Sequence, residues 1–171
     1  MIKLTRPARP AELTVEFQQN QTDEFKRTGA SVWREKFIIQ GLLAMSFGKC
    51  AYCECRVTEE SKYLEVEHFA DKDTHKDRVL EWENLLPACK RCNVRKHSHD
   101  VILAPIVNPA IDDPRDHLHF AFYRFDGKGE VGRSTVEVLG LNDHDRLLLS
   151  RFQVGSKVAE VLADIGQLLR E

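Results

Sequence analysis

The 171-residue sequence lacks any apolar run near the ~20 residues that a membrane helix needs, and its longest stretch of interest, Gly41–Phe47, is far shorter. Its opening, Met1 to Pro10, has no hydrophobic segment of the kind a secretory leader carries, so a cytoplasmic protein is expected. There is no low-complexity tract, no block of like charge, and no internal repeat beyond two short cysteine pairs. Nor is there an excess of basic residues. The net charge of −2 is unlike that of a free-standing nucleic-acid-binding protein, and suggests a chain that relies on a partner to hold nucleic acid. Cysteine is scarce too. Five cysteines without an export signal argue against a disulfide framework. What remains is ordinary: 42% hydrophobic and 30% charged residues, in a length that fits one domain over residues 1–171.

Four of the cysteines form two Cys-x-x-Cys pairs, Cys50/Cys53 and Cys89/Cys92. Two such knuckles can supply four thiolates to one tetrahedral Zn²⁺, at Zn–S distances near ~2.3 Å. Buried apolar cysteines and a thioredoxin-like redox pair are the competing readings, but the redox reading wants a single pair between a strand and a helix. A structural Zn²⁺ would supply the folding free energy that the short, polar segment between the knuckles lacks. Such a site is closed and offers no position for catalysis. Cys55 is left over, as a bystander or a substitute for Cys53.

Taken in order, residues 1–22, with Pro7 and Pro10, read as an extended arm. Ser31 is positioned to cap a helix running to about Phe47, with Trp33, Phe37 and Ala44 on one row and Ile38, Leu42 and Met45 on the next. Tyr63–Phe69 alternates as a short strand, and Asn93 to about Asp100 reads as a short helix. Farther on, His117–Phe125 predicts a strand, Asp126-Gly127-Lys128-Gly129 a turn, and Val131 to Leu139 the returning strand of a hairpin. Asn142 or Asp143 can cap a last helix. Its stripe of Leu148, Phe152, Ala159, Leu162, Ile165 and Leu169 would pack on the core or meet a partner.

The chemistry lies between and just after the knuckles. Glu67 precedes His68 on the expected strand, and Asn93 and His97 are four apart, on one face of the expected helix. Glu67, Asn93 and His97 offer oxygen and nitrogen ligands suited to Mg²⁺ or Mn²⁺, and a histidine near its ordinary pKa of ~6.5 can serve as a general base. Lys90, Arg91, Arg95 and Lys96 form a basic cluster suited to a phosphate backbone. Each has a blander reading. A Glu-His pair is commonly a solvated dipeptide, an Asn after a knuckle commonly caps a helix, and Trp82, Leu85 and Leu86 read as core. His75, His117, His119 and His144 have no partner motif. The functional case rests on the combination and its order.

That order resembles the zinc-containing HNH (His-Asn-His) endonucleases of the ββα-metal fold over Cys50–Lys96. The resemblance implies that His68 is the general base and that Glu67 stands where the family has a metal-binding Asp. It places Asn84 at the middle Asn, which shapes the loop, and Asn93 at the last position, a metal ligand. Lys96 corresponds to the Lys of a C-x-x-C-N-x-x-K run. Glu for Asp is a departure that moves the carboxylate by a methylene. Ile2-Lys3-Leu4-Thr5-Arg6-Pro7, Trp82 to Cys89, Asn108 to Pro114 and Leu139 to Leu147 resemble, more narrowly, the HNH subunit of Septu-type and retron-associated anti-phage systems. That branch implies an ABC-type ATPase partner.

The expected architecture is therefore α+β, with a ββα-metal core over residues 50–100 pinned by a four-cysteine zinc site. An N-terminal helix, a C-terminal hairpin and a long C-terminal helix flank it, the last two within residues 116–171. The expected reaction is metal-dependent hydrolysis of a DNA phosphodiester. The alternative is a non-catalytic zinc module that binds nucleic acid or the ATPase, and a redox dithiol protein is a third reading.

Overall fold

The computed structural model describes residues 1–57 and 64–170. At its centre β1 (Leu64–His68) pairs antiparallel with β2 (Leu85–Cys89), setting Glu67 opposite Leu86 and His68 opposite Leu85. Tyr63, the expected start of β1, lies outside the described residues. α3 (Lys90–Lys96) follows β2 without a linker because Cys89 caps it, its Sγ accepting a hydrogen bond from the Cys92 N–H. This is a ββα unit. The helix expected from Asn93 to Asp100 thus lies earlier, and it stops where His97 takes φ 46°.

The N-terminal half wraps this unit. The arm expected over residues 1–22 is irregular only to about Thr14, whose hydroxyl accepts from the Phe17 N–H and starts α1 (Val15–Thr28). α2 (Lys36–Ser46) begins later than a Ser31 cap would place it. Its buried row is Ile38, Leu42 and Met45, one of the two rows read from the sequence. Phe47 at φ 53° ends the helix and turns the chain toward Cys50.

The C-terminal half departs more from expectation. A hairpin is present, formed by β3 (Leu118–Ala121) and β4 (Arg124–Gly127), but its turn is Phe122-Tyr123, at φ 49° and 65°. Two-residue hairpin turns favour Asn-Gly because both positions need positive φ, so an aromatic pair gives no turn signal. The Tyr123 ring is held edge-on by Phe152 at 5.5 Å. Asn142 completes β4 from outside the sheet, its side chain bonding both the N–H and the carbonyl of Phe125 at 2.8 Å. The turn expected at Asp126–Gly129 instead leads out of β4, and Val131 to Leu139 is not a strand but part of α5 (Gly129–Leu139). Gly132, Thr135 and Leu139 are its buried positions, a helical spacing, and a Cβ on Gly132 would stand 2.0 Å from the His117 carbonyl oxygen. α4 is the single turn Pro114–His117.

Asp143 caps the last helical segment, accepting from the Arg146 N–H. A wide turn, His144–Leu148, continues into α6 (Leu149–Leu168). No α6 residue is buried, so its apolar stripe does not pack on the core. None of the described helices is long and apolar enough to cross a membrane.

Candidate metal centre and adjoining cleft

The sulfurs of Cys50, Cys53, Cys89 and Cys92 lie within 4.8 Å of one another, all four residues buried and none in a disulfide. A tetrahedral Zn²⁺ at ~2.3 Å from each sulfur needs S···S edges of about 3.8 Å, and Cys53 and Cys89 stand 3.7 Å apart. The donor set therefore fits zinc. Cys55 lies outside the four-sulfur group, and its carbonyl accepts from the Cys50 N–H at 2.8 Å. A zinc ion held by four thiolates carries two surplus negative charges, and Arg146 Nη1, 3.7 Å from Cys92 Sγ, brings a positive one to the site from the turn before α6. Arg146 lies so far from the knuckles in sequence that no spacing signals its role.

Beside the metal centre, between β1 and α3, opens a cleft of about 360 Å³, lined by Glu67, His68, Asp71, Asn93 and His97 among others. Because neighbours on a strand face opposite ways, Glu67 and His68 meet different surroundings. Glu67 turns toward α3: its Oε1 accepts from Lys96 Nζ at 2.8 Å and from the Tyr52 hydroxyl at 3.4 Å. Burial pushes the carboxyl up to about 7, against the pull of Lys96. His68 turns toward the loop, packed edge-on by Trp33 at 4.7 Å. Its Nε2 lies 3.0 Å from the Val79 carbonyl oxygen. A carbonyl can only accept, so Nε2 carries the hydrogen and Nδ1 keeps its lone pair. Burial pushes this imidazole down to about 4, partly offset by the Val79 carbonyl, so it is neutral at physiological pH.

Asn84 ties the loop closed. Its Oδ1 accepts from the Ala70 N–H at 2.7 Å, and its Nδ2 donates to the carbonyls of Ala70 and Arg78. Asn93 lines the cleft and makes no side-chain hydrogen bond to the described residues. His97 sits past the end of α3, exposed, with Nδ1 2.8 Å from the Ser98 hydroxyl. It therefore does not share a helical face with Asn93.

The basic cluster divides. Lys90, Arg91 and Arg95 are exposed on α3 and line a second, shallower depression of about 670 Å³ with Arg146. Lys96 is 1% exposed and spends its ammonium on Glu67 and, at 3.0 Å, on the His68 carbonyl. Its expected contact with a phosphate backbone is ruled out by that burial. Each turn of α3 returns to the protein side, and Cys92 and Lys96, four apart, fall there.

Two further residues are not legible as site residues in the sequence. Asp71 is 4% exposed and accepts from the Asp73 and Thr74 N–H groups through Oδ1, yet its buried Oδ2 has no partner among the described residues. An orphaned carboxylate oxygen in a polar cleft is a place for a cation. Among the described residues only the four cysteines bring three or more Cys, His, Asp or Glu ligand atoms together; Glu67 and Asp71 are two carboxylates lining one cleft with Asn93. Arg6, in the N-terminal arm, donates to the carbonyls of Trp82, Glu83 and Leu85, which bracket Asn84.

The chain is similar to known proteins over this same region and beyond it. Residues 50–99 match the family model described as HNH endonuclease. The chain is 48% identical over 168 residues to a Septu protein PtuB of Bacillus thuringiensis, covering 98% of this chain and 65% of that protein. It is 26% identical over 188 residues to a Septu protein PtuB of Bacillus mycoides (strain KBAB4), covering 83% of this chain and 63% of that protein. The chain thus spans slightly less than two thirds of the length of these relatives.

Proposed function

Because residues 50–99 of this chain carry an HNH endonuclease domain, within a sequence related to Septu PtuB over nearly its whole length, we propose that it is a metal-dependent DNA endonuclease. The observation that carries the reading is His68, held by the Val79 carbonyl as the neutral tautomer with a free Nδ1, in the same cleft as Asn93, Glu67 and the orphaned Asp71 oxygen. In this reading Nδ1 takes a proton from the water that attacks phosphorus. Glu67, Asn93 and Asp71 would hold one Mg²⁺ or Mn²⁺, for which an all-oxygen donor set is suited. Such an ion, when bound, offsets the charge developing on the scissile phosphate and its leaving oxygen. His97 is assigned to the rim rather than to this set. Lys96 favours the ionised form of Glu67 against its burial and fixes it in place from behind. Asn84 keeps the loop that presents the Val79 carbonyl to His68. Lys90, Arg91 and Arg95 contact the sugar-phosphate backbone, which positions DNA without reading its sequence.

The Septu resemblance extends the proposal to a cytoplasmic effector of anti-phage defence, working with an ABC-type ATPase. The test is cleavage of supercoiled plasmid by the purified chain in Mg²⁺ or Mn²⁺, beside His68→Ala. Cutting by the unsubstituted chain alone, abolished by EDTA and restored by the divalent ion, supports the reading. Equal cutting by both proteins removes His68 from the mechanism.

A second reading has its own support. The Glu67 carboxylate is already engaged by Lys96 and, more weakly, by the Tyr52 hydroxyl. A non-catalytic zinc module that binds nucleic acid or the ATPase would need nothing more. It predicts that His68→Ala keeps full function in cells, whereas the nuclease reading predicts its loss.

A further inference from the structure

α6 carries a second pattern. Val154, Val158, Val161, Ile165 and Leu168 recur at spacings of four and three, which average the 3.5 residues of a two-helix supercoil rather than the 3.6 of a helix lying on a core. All five are open to solvent, between 45% exposed at Val161 and 70% at Leu168. Only the start of α6 touches the body: Arg151 donates to the Leu141 and Tyr123 carbonyls, and a Cβ on Gly155 would meet the Tyr123 ring. Beyond Gly155 the helix carries its seam clear of the rest of the described chain.

We propose that α6 is a dimerisation helix, pairing antiparallel with α6 of a second copy of this chain. The charges beside the seam select both the partner and the direction. Lys157 and Asp164 are seven apart, each immediately before a seam residue, and so lie on one edge of the helix. The other edge is Gly155, Leu162 and Leu169, with no charge. In an antiparallel pair like edges meet, so Lys157 of each copy faces Asp164 of the other, twice by symmetry. A parallel pair would set both charges against leucine. Within the single chain Lys157 pairs, among the described residues, with Glu160 at 2.8 Å, an exposed pair of little energetic weight. Two helices alone bury less than the ~1,600 Å² of a standard interface, so a concentration-dependent dimer is expected.

Sedimentation equilibrium of the full, zinc-loaded chain from about 1 to about 200 µM tests this. The expected result is a shift from the 19.7 kDa monomer to twice that mass, and its absence at the highest concentration overturns the proposal. Val161→Glu should give a monomer with unchanged zinc content and helix content by circular dichroism. Lys157→Glu should raise the dimer dissociation constant roughly tenfold, and adding Asp164→Lys should restore it. A dimer indifferent to both changes pairs through another surface or in the parallel sense, and the proposal fails. None of these variants touches the cleft, so plasmid cleavage can succeed or fail independently.

Discussion

The segment from Cys50 to His99 and the helix α6 solve opposite problems. The first buries apolar residues such as Leu80, Trp82, Leu85 and Leu86, and its site is ordered by groups that satisfy one another: four thiolates around one point, Lys96 against Glu67, and Asn84 against the backbone of Ala70 and Arg78. The second has no buried residue and, beyond Gly155, meets little of the described chain. In the metal-centred region each of these groups has a partner, so removing one leaves another stranded. Beyond Gly155, single changes in α6 should leave the fold untouched and be felt only where another molecule meets it.

The largest test of that contrast is zinc removal. Structural Zn²⁺ is worth roughly 10–16 kcal/mol of apparent binding free energy in small domains. Chelation, or Cys92→Ala, should therefore abolish cooperative unfolding of the whole ββα unit. Metal analysis should find one zinc per chain before treatment. If the chain still melts cooperatively without zinc, its apolar core carries more of the stability than the metal does.

His68→Ala comes next, on activity first. Loss of a general base should lower the cleavage rate by about 10²–10⁴-fold. The melting temperature should fall as well, since the buried ring's packing on Trp33 and its hydrogen bond to the Val79 carbonyl are both lost, so rates are compared well below that temperature.

Lys96→Met should destabilise by about 3–5 kcal/mol, because it strands a buried carboxylate. Urea denaturation of Lys96→Met, Glu67→Leu and the double variant separates pairing from burial. The double should be more stable than the sum of the singles predicts, whereas strict additivity would mean that the two groups do not interact.

The smallest effect belongs to Arg91→Ala on the exposed side of α3. It should weaken DNA binding about equally across sequences and reduce the dependence of log K on log salt by about one unit. A change confined to particular base sequences would show that Arg91 reads bases.

How much of this is legible in the sequence depends on whether a residue's role is local. The knuckles, the order Glu67-His68, Asn84 and Asn93, and the cap at Asp143 stand in short patterns, and the structure puts each knuckle cysteine where its spacing implies. The hairpin is legible in kind but not in place, because its turn uses Phe122 and Tyr123 at positive φ and only the later packing of Phe152 makes that turn worthwhile. Val131–Leu139 misleads for a related reason: β-branched residues are frequent there as in a strand, while Gly132, Thr135 and Leu139 give the helical row that packing selects. Lys96 looks basic and surface-bound beside Arg95, and nothing in the residue itself reveals that the helix turns it inward. Arg6, Asp71 and Arg146 act across the chain, and no local pattern announces them.

Arg6 also bears on the order in which the protein is made. Its guanidinium grips carbonyls 76 to 79 residues downstream, so the arm leaves the ribosome well before there is anything for it to hold. Contacts of such long range carry the loop-closure entropy of the whole intervening chain and form late. The arm is then the last strap fastened on the loop that bears Asn84, and the first to slip. Amide hydrogen exchange should show it as a separate, lower-energy opening of Leu4 and its neighbours before the strands beneath it let go.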